Sequence, residues 1–336
     1  MYSLLDDPLI EVSTATGCES RTLPEVFAGL VAGEILEWRG LRAHQTDPWH
    51  VLLVQLGASV AAHRALDPHD LPPEPLFWRD ALLELAQGEE CAWHLVVEDP
   101  CKPAFLQHPV KRAPDVEGFQ PKAMRPDELD ILVTSKNHDV KAARASSDDI
   151  RLWLYALVVY QTMNGYLGKG NYGSFRMFGG FASRPVVGTV EDLRPSHRWR
   201  EECAILCAMR PALVQSSLGY QDRGVVLTWL APWSGEEHQF QLSDLEPYAI
   251  EAVRRLRLAP TASGFVALGS PTEKRQIGPR SLESGDVGDP WIPIKTQGGK
   301  KKERVALTLS GQGWTPELLC ALIFERGFEL TPLQKP

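Results

Sequence analysis

Nowhere in its 336 residues does this chain carry the run of roughly 20 apolar residues that a membrane-spanning helix needs. Its opening, MYSLLDDPLIEV, is acidic and lacks the basic n-region of a secretory signal. Cysteine is sparse. The six residues at 18, 91, 101, 203, 207 and 320 follow no regular spacing, which excludes a disulfide scaffold. A cytoplasmic protein with reduced thiols, and without a membrane partner, is the expectation. There is no internal repeat, no low-complexity tract and no polar linker between apolar elements. The net charge of -8 denies the chain the overall positive field on which generic nucleic-acid binding rests, though a local basic face stays open.

Catalytic signatures are missing too. No Walker A sequence, nucleophile elbow, papain-like cysteine motif or H-x-x-x-H is present, and no carboxylates pair up. Cys203 and Cys207 would share one helical face, but two thiols are half of a zinc site and read as buried free cysteines. His44, His50, His63 and His69 form no close ligand pair. The expectation is no metal, no cofactor and no catalytic residue. A stacked aromatic motif of the RNA-recognition type is also absent.

What the chain does have is core. With 43% hydrophobic residues it can fill one large domain. The elements it spells are mixed. Thr22-Leu23-Pro24-Glu25 reads as a capped helix start, Asp47-Pro48-Trp49 as another, and Phe77 to Leu85 as a third helix. Ser146-Ser147-Asp148-Asp149 opens a helix over IRLWLYALVVYQTM, apolar nearly all round, which Gly165 would close. Ser243-Asp244 suggests one more helix start, and Pro316 to Arg326 a last helix. Short strands are expected near the start, at Trp93 to Val97, Arg223 to Trp229, Gln239 to Leu242 and Gly264 to Leu268. A hairpin is expected from Trp291–Ile294 and Arg304–Leu309. Residues 99–126, rich in proline and cations, read as an exposed irregular excursion. The fold class is therefore α+β: one large irregular domain over residues 1–336, with buried helices and short antiparallel strands.

The densest signal is NGYLGKGNYGSFRMFGGFASRP, residues 164–185. Its glycines uncover backbone N–H groups and permit positive φ, so the segment can cradle a phosphate or lie in a groove. Gly168-Lys169-Gly170-Asn171-Tyr172-Gly173 matches G-x-G-x-x-G, but a helix precedes it where a dinucleotide site needs a strand. Arg176 adds a further cation. Lys136-Asn137-His138 lies before the long apolar helix, Lys274-Arg275 in a polar stretch, and Lys300-Lys301-Lys302 at the hairpin tip. Each alone is a solvated cluster. Together with the glycine loop they lead to the expectation of a composite nucleic-acid surface.

Four segments carry a resemblance to a known family. Leu4-Leu5-Asp6-Asp7-Pro8-Leu9-Ile10-Glu11-Val12, Asp99-Pro100-Cys101-Lys102-Pro103-Ala104-Phe105-Leu106-Gln107, residues 164–185, and Gly288-Asp289-Pro290-Trp291-Ile292-Pro293 followed by a basic turn and Ala306-Leu307-Thr308 are similar, in order, to the CasA-type large subunit of type I-E CRISPR Cascade complexes. The resemblance implies a non-catalytic subunit of an RNA-guided assembly. Its partners would be CRISPR RNA, target double-stranded DNA, other Cascade subunits and a nuclease-helicase or variant effector nuclease. It also implies roles. Gly168 to Gly173, Arg176 and a lysine finger at Lys274 or Arg275 would meet the target-flanking motif (PAM) in the minor groove. Lys136, Asn137 and His138 would meet the 5′ handle of the guide, and Lys300, Lys301 and Lys302 the phosphate backbone. The family's wedge and C-terminal four-helix bundle are expected to be missing here. Two other readings stay open: an enzyme binding a nucleotide or dinucleotide through G-x-G-x-x-G, and a scaffold that binds only protein.

Overall fold

The structure, a computed structural model, describes residues 2–130, 149–165, 168–174, 176, 184–278, 284–297, 303–309, 313–324 and 326–335. Strand β1 (Ile10–Thr14) pairs antiparallel with β2 (Gly17–Arg21) and with β3 (Glu37–Trp38). Helix α1 (Leu23–Ala32) starts where its sequence predicts. Thr22 accepts a hydrogen bond from the Glu25 N–H at 3.3 Å, and the Glu25 carboxylate accepts from the Thr22 N–H at 2.8 Å. Helix α2 (Ala43–Arg64) begins earlier than Asp47-Pro48 suggests. Gln45 accepts the Arg42 N–H at 3.0 Å, and Pro48 is absorbed inside the second turn. From Trp49 to Ala61 every residue of α2 is buried.

Around α2 stand α3 (Pro75–Leu85), α4 (Ile150–Thr162) and α5 (Pro195–Val214). The α2–α5 crossing is close because Gly57 has no side chain: a Cβ there would lie 2.5 Å from the Trp199 ring. Trp199 in turn donates its indole N–H to the Leu53 carbonyl at 3.0 Å. Tryptophans fill the interior. Trp78 stacks on Phe27 at 4.5 Å, and Trp93, Phe105 and Trp229 form a second nest.

The remaining strands are short. Strand β4 (Gln120–Ala123), β7 (Arg255–Thr261) and β8 (Gly264–Ser270) form an antiparallel sheet in the order β4-β8-β7. Strand β5 (Val225–Leu227) runs parallel to β6 (Leu245–Ile250). The expected hairpin is present as β9 (Ile294–Gln297) and β10 (Glu303–Ala306), with β11 (Phe328–Glu329) on the other side of β9 and helix α6 (Pro316–Ile323) beside it. This is the α+β class the sequence spells.

Three expectations are corrected. Residues 242–258 hold no helix. A single 3-10 turn at Leu242–Asp244 delivers the chain into β6 and β7. Trp93 to Val97 is no strand either: a 3-10 turn at Glu90–Trp93 leads into a bridge between His94 and Ser3. The excursion 99–126 is exposed only in part. Phe105, Leu106 and Gln107 are fully buried, and Gln107 donates to the Leu95 carbonyl while accepting the Leu258 N–H. Lys102, Lys111, Arg112 and Lys122 stay on the surface.

Candidate nucleic-acid interface

The glycine segment is held at its base by the last turn of α4. Buried Gln161 donates to the carbonyls of Leu106 and Arg254 and accepts the Arg254 N–H at 2.8 Å, so α4 is riveted to two other segments at once. Gly165 does not end the helix. Met163 is its C-cap, and the Asn164 side chain turns back to donate to the Tyr160 carbonyl at 2.8 Å. The chain leaves, and at Ser174 it returns. The Ser174 N–H donates to the Asn164 carbonyl at 2.9 Å and its hydroxyl to the Thr162 carbonyl. Loop ends so close together leave the tip to project from a fixed base.

At the tip the Asn171 N–H donates to the Gly168 carbonyl at 2.9 Å, closing a four-residue turn. Gly170 occupies its third position with φ +81°, the conformation that a type II turn reserves for glycine. A Cβ on Gly170 would also lie 3.3 Å from the Pro271 side chain. Lys169 is at the exposed corner. Gly170 and Thr272 form an antiparallel bridge, and the N–H groups of Glu273 and Lys274 both donate to the Gly235 carbonyl. The turn and the segment around Lys274, far apart in sequence, are thus neighbours, with Lys274 exposed.

Beside the turn lies a cleft of about 190 Å³. Lys169, Gly170 and Asn171 form one wall, and the ends of β4, β7 and β8 form the other through Lys122, Arg255 and Ser270. The strand register makes this: Gln120 faces Gly269, and Arg255 faces Ser270. Arg255 donates to the Ser270 hydroxyl at 2.9 Å, and its guanidinium lies 5.0 Å from the Phe119 ring centre. Arg254 is buried at the floor near the Tyr160 ring and donates to the Gly165 carbonyl at 3.3 Å. Burial pushes its guanidinium pKa down.

The predicted site residues divide. Gly168, Lys169, Gly170 and Asn171 form the turn. Tyr172 is half-buried and Gly173 buried as the loop returns. Arg176 is a correction: at 5% exposure it forms an ion pair with Asp289 at 2.6 Å and sits over the Trp291 ring, so it anchors the loop and faces no solvent. Arg275, 3% exposed, is likewise inside, which leaves Lys274 as the surface cation of that pair. Lys136, Asn137, His138, Lys300, Lys301 and Lys302 lie outside the described residues. Sequence reasoning missed Arg254 and Arg255 because the strand carrying Arg255 was read as helix. Lys122 was visible only as one cation of a proline-rich stretch. Among the described residues no cluster of His, Cys, Asp or Glu is placed to hold a metal, and no helix is long and apolar enough to cross a membrane. Helix α4, not a strand, precedes G-x-G-x-x-G, so the dinucleotide-turn context is not met.

This arrangement of buried helices and short irregular sheets is similar in fold to the solved CasA (Cse1) proteins. The match to solved structures covers almost all of this chain. Thermus thermophilus CasA (Cse1) aligns at a TM-score of 0.60 with 17% identity, over 98% of this chain and 65% of that one. Cse1 from Acidimicrobium ferrooxidans aligns at 0.58 with 15% identity, over 98% and 62%. A chain of a CRISPR RNA-guided surveillance complex aligns at 0.56 with 14% identity, over 99% and 67%. The chain thus spans a little under two thirds of the length of the first two. No family model matches it, and no curated protein matches it by sequence.

Proposed function

We propose that this chain is a non-catalytic subunit of an RNA-guided CRISPR surveillance complex, and that its glycine turn inspects the target-flanking motif in duplex DNA. The observation that carries the reading is the Gly168–Asn171 turn, bridged to Thr272 and flanked by exposed Lys169 and Lys274, on a CasA-like fold. The turn presents backbone and one carboxamide, with no bulk at Gly168 or Gly170. That is the chemistry suited to a narrow minor groove, whose base edges offer few distinguishing groups. Lys169 and Lys274 supply phosphate attraction, which sets affinity without reading sequence. Lys136, Asn137 and His138 contact the 5′ handle of the guide RNA, Lys300, Lys301 and Lys302 the phosphate backbone, and base pairing by the guide supplies the remaining specificity.

The test is target binding by the assembled, guide-loaded complex across a library of flanking sequences. Gly170→Leu is expected to lower affinity for the preferred flank and to flatten the preference, through backbone strain and the Pro271 contact. Lys169→Ala is expected to weaken all flanks alike and to reduce the salt slope by about one. Unchanged affinity and preference with bulky residues at both Gly168 and Gly170 would make the turn a structural one and overturn the reading. Saturable binding of ATP or NAD by the chain alone would favour an enzyme instead.

A further inference from the structure

We propose that the cleft between the glycine turn and the ends of β4, β7 and β8 is a phosphate site that seats one phosphodiester group of the bound strand; the identity of the strand as target DNA rests on the reading above. Among the described residues four cations line the cleft, Lys122, Lys169, Arg254 and Arg255, and no carboxylate does. This occurs in a chain with 43 acidic and 35 basic residues. The adjoining cleft across Gly170 has Glu236 and Glu273 in its lining. That second cleft shares Lys169 and Arg255, so its charges balance, and the bridge at Gly170 divides a purely cationic side from one of mixed charge.

Arg254 is the second, independent observation. It is 4% exposed, and among the described residues its Nε and Nη1 have no hydrogen-bond partner, so Tyr160 and Glu251, which favour its charge, offset only part of the cost of burial. A buried guanidinium with unspent donors is a destabilised cation, and an anion above it offsets that cost. Arg255 is pre-set by Ser270 and Phe119, so binding orders little that is not already ordered. Lys122 and Lys169 stand exposed at opposite rims and can close on the remaining phosphate oxygens. At about 190 Å³ the cleft falls below the ~300 Å³ at which pockets for whole small molecules begin, which favours one phosphate group over an entire nucleotide.

Lys122→Gln and Arg255→Gln test this in the assembled complex, with Gly170→Leu as the comparison. Lys122 is exposed, so its variant keeps the fold and decides the matter if the arginine variant melts early. Expected is a loss of roughly three- to tenfold in target affinity near 0.15 M salt, equal across flanks, with the slope of log K against log salt reduced by about one per cation. If both variants bind and respond to salt like the parent while Gly170→Leu is impaired, the phosphate site is wrong and the glycine-turn reading stands. If Gly170→Leu is also without effect, both fall. A second arm titrates the chain alone with inorganic phosphate and with ATP. Tight, saturable ATP binding lost in Lys122→Gln would assign the cleft to a free nucleotide and overturn the phosphodiester assignment.

Discussion

Arg176 shows how far a residue's chemistry depends on where the chain buries it. In a glycine-rich loop an arginine suggests a phosphate contact. In the fold its Nε lies 2.6 Å from Asp289, its guanidinium faces Trp291 at 5.4 Å, and its carbonyl accepts from Arg184. Asp289 is tied down as well, because its other oxygen accepts the Trp291 N–H at 2.9 Å. A buried ion pair of this kind adds little net stability, yet removing one partner strands the other charge. Asp289→Ala is therefore expected to cost about 3 kcal/mol or more in unfolding free energy. Lys169→Ala, on the exposed corner of the turn, should stay within about 0.5 kcal/mol. Urea unfolding of both variants checks this. Equal, small effects would mean that Arg176 finds solvent when Asp289 is gone and that the loop is not anchored there.

The segment between the Glu90–Trp93 turn and β4 makes the same point at the scale of an element. His108 within it is buried, with Nε2 2.6 Å from the Ala252 carbonyl and Nδ1 3.4 Å from that of Ala231. Burial lowers its pKa to about 4, against the opposing pull of the two carbonyls, and Arg255 and Arg257 add to the lowering. A histidine with a depressed folded pKa stabilises the protein above its unfolded value near 6.5 and loses that stability as pH falls towards 4. Full protonation amounts to about 3 kcal/mol at 1.36 kcal/mol per unit. Unfolding free energies at pH 7.5 and 4.5 should show the loss, and His108→Gln should make it smaller; an unchanged pH dependence in that variant would place the titration elsewhere. Nothing in the sequence marks His108 as buried, since proline and lysine around it signal surface. Other elements were legible because their signals are local. Thr22 with Glu25, Asp149 before an apolar run, and the two paired arms β9 and β10 each carry their instruction within a few residues. Strand β6 was not legible. All six of its residues are buried, so it shows no alternation, and Ser243-Asp244 imitates a helix cap. The Gly170–Thr272 bridge was equally hidden, because it joins positions about a hundred residues apart in sequence. The glycine turn could be named from sequence, but not the cations on the far wall of its cleft.

At the scale of the whole molecule the hydrophobic contacts are unequal. One cluster runs from Leu4 to Leu333 and takes in α1 to α5, seven buried tryptophans and the β4-β8-β7 sheet. Among the described residues, the region of β9, β10, β11 and α6 rests on two small clusters, Ile292 with Ile294 and Ala306, and Leu307 with Leu322 and Phe328. Trp291 and Leu333, at the two ends of that region, belong to the main core. The Trp291 indole donates to buried Glu202 at 2.9 Å, and the Leu333 carbonyl accepts the Thr189 N–H at 3.0 Å. A region clamped at both ends but thinly packed between them should open before the rest without forming an independent unit. Exposed Leu319, Ile323 and Phe324 on α6 fit that, since they leave much of the helix's apolar surface outside any core. Hydrogen exchange is expected to show β9 and β10 amides exchanging through openings of lower free energy than those of α2 and α4. Limited proteolysis should nick the region between residues 294 and 330 first and leave the remainder as one resistant body. Release of two stable halves, divided anywhere before Trp291, would show that the continuous cluster does not unfold as one body and that the single large domain proposed for this chain is two.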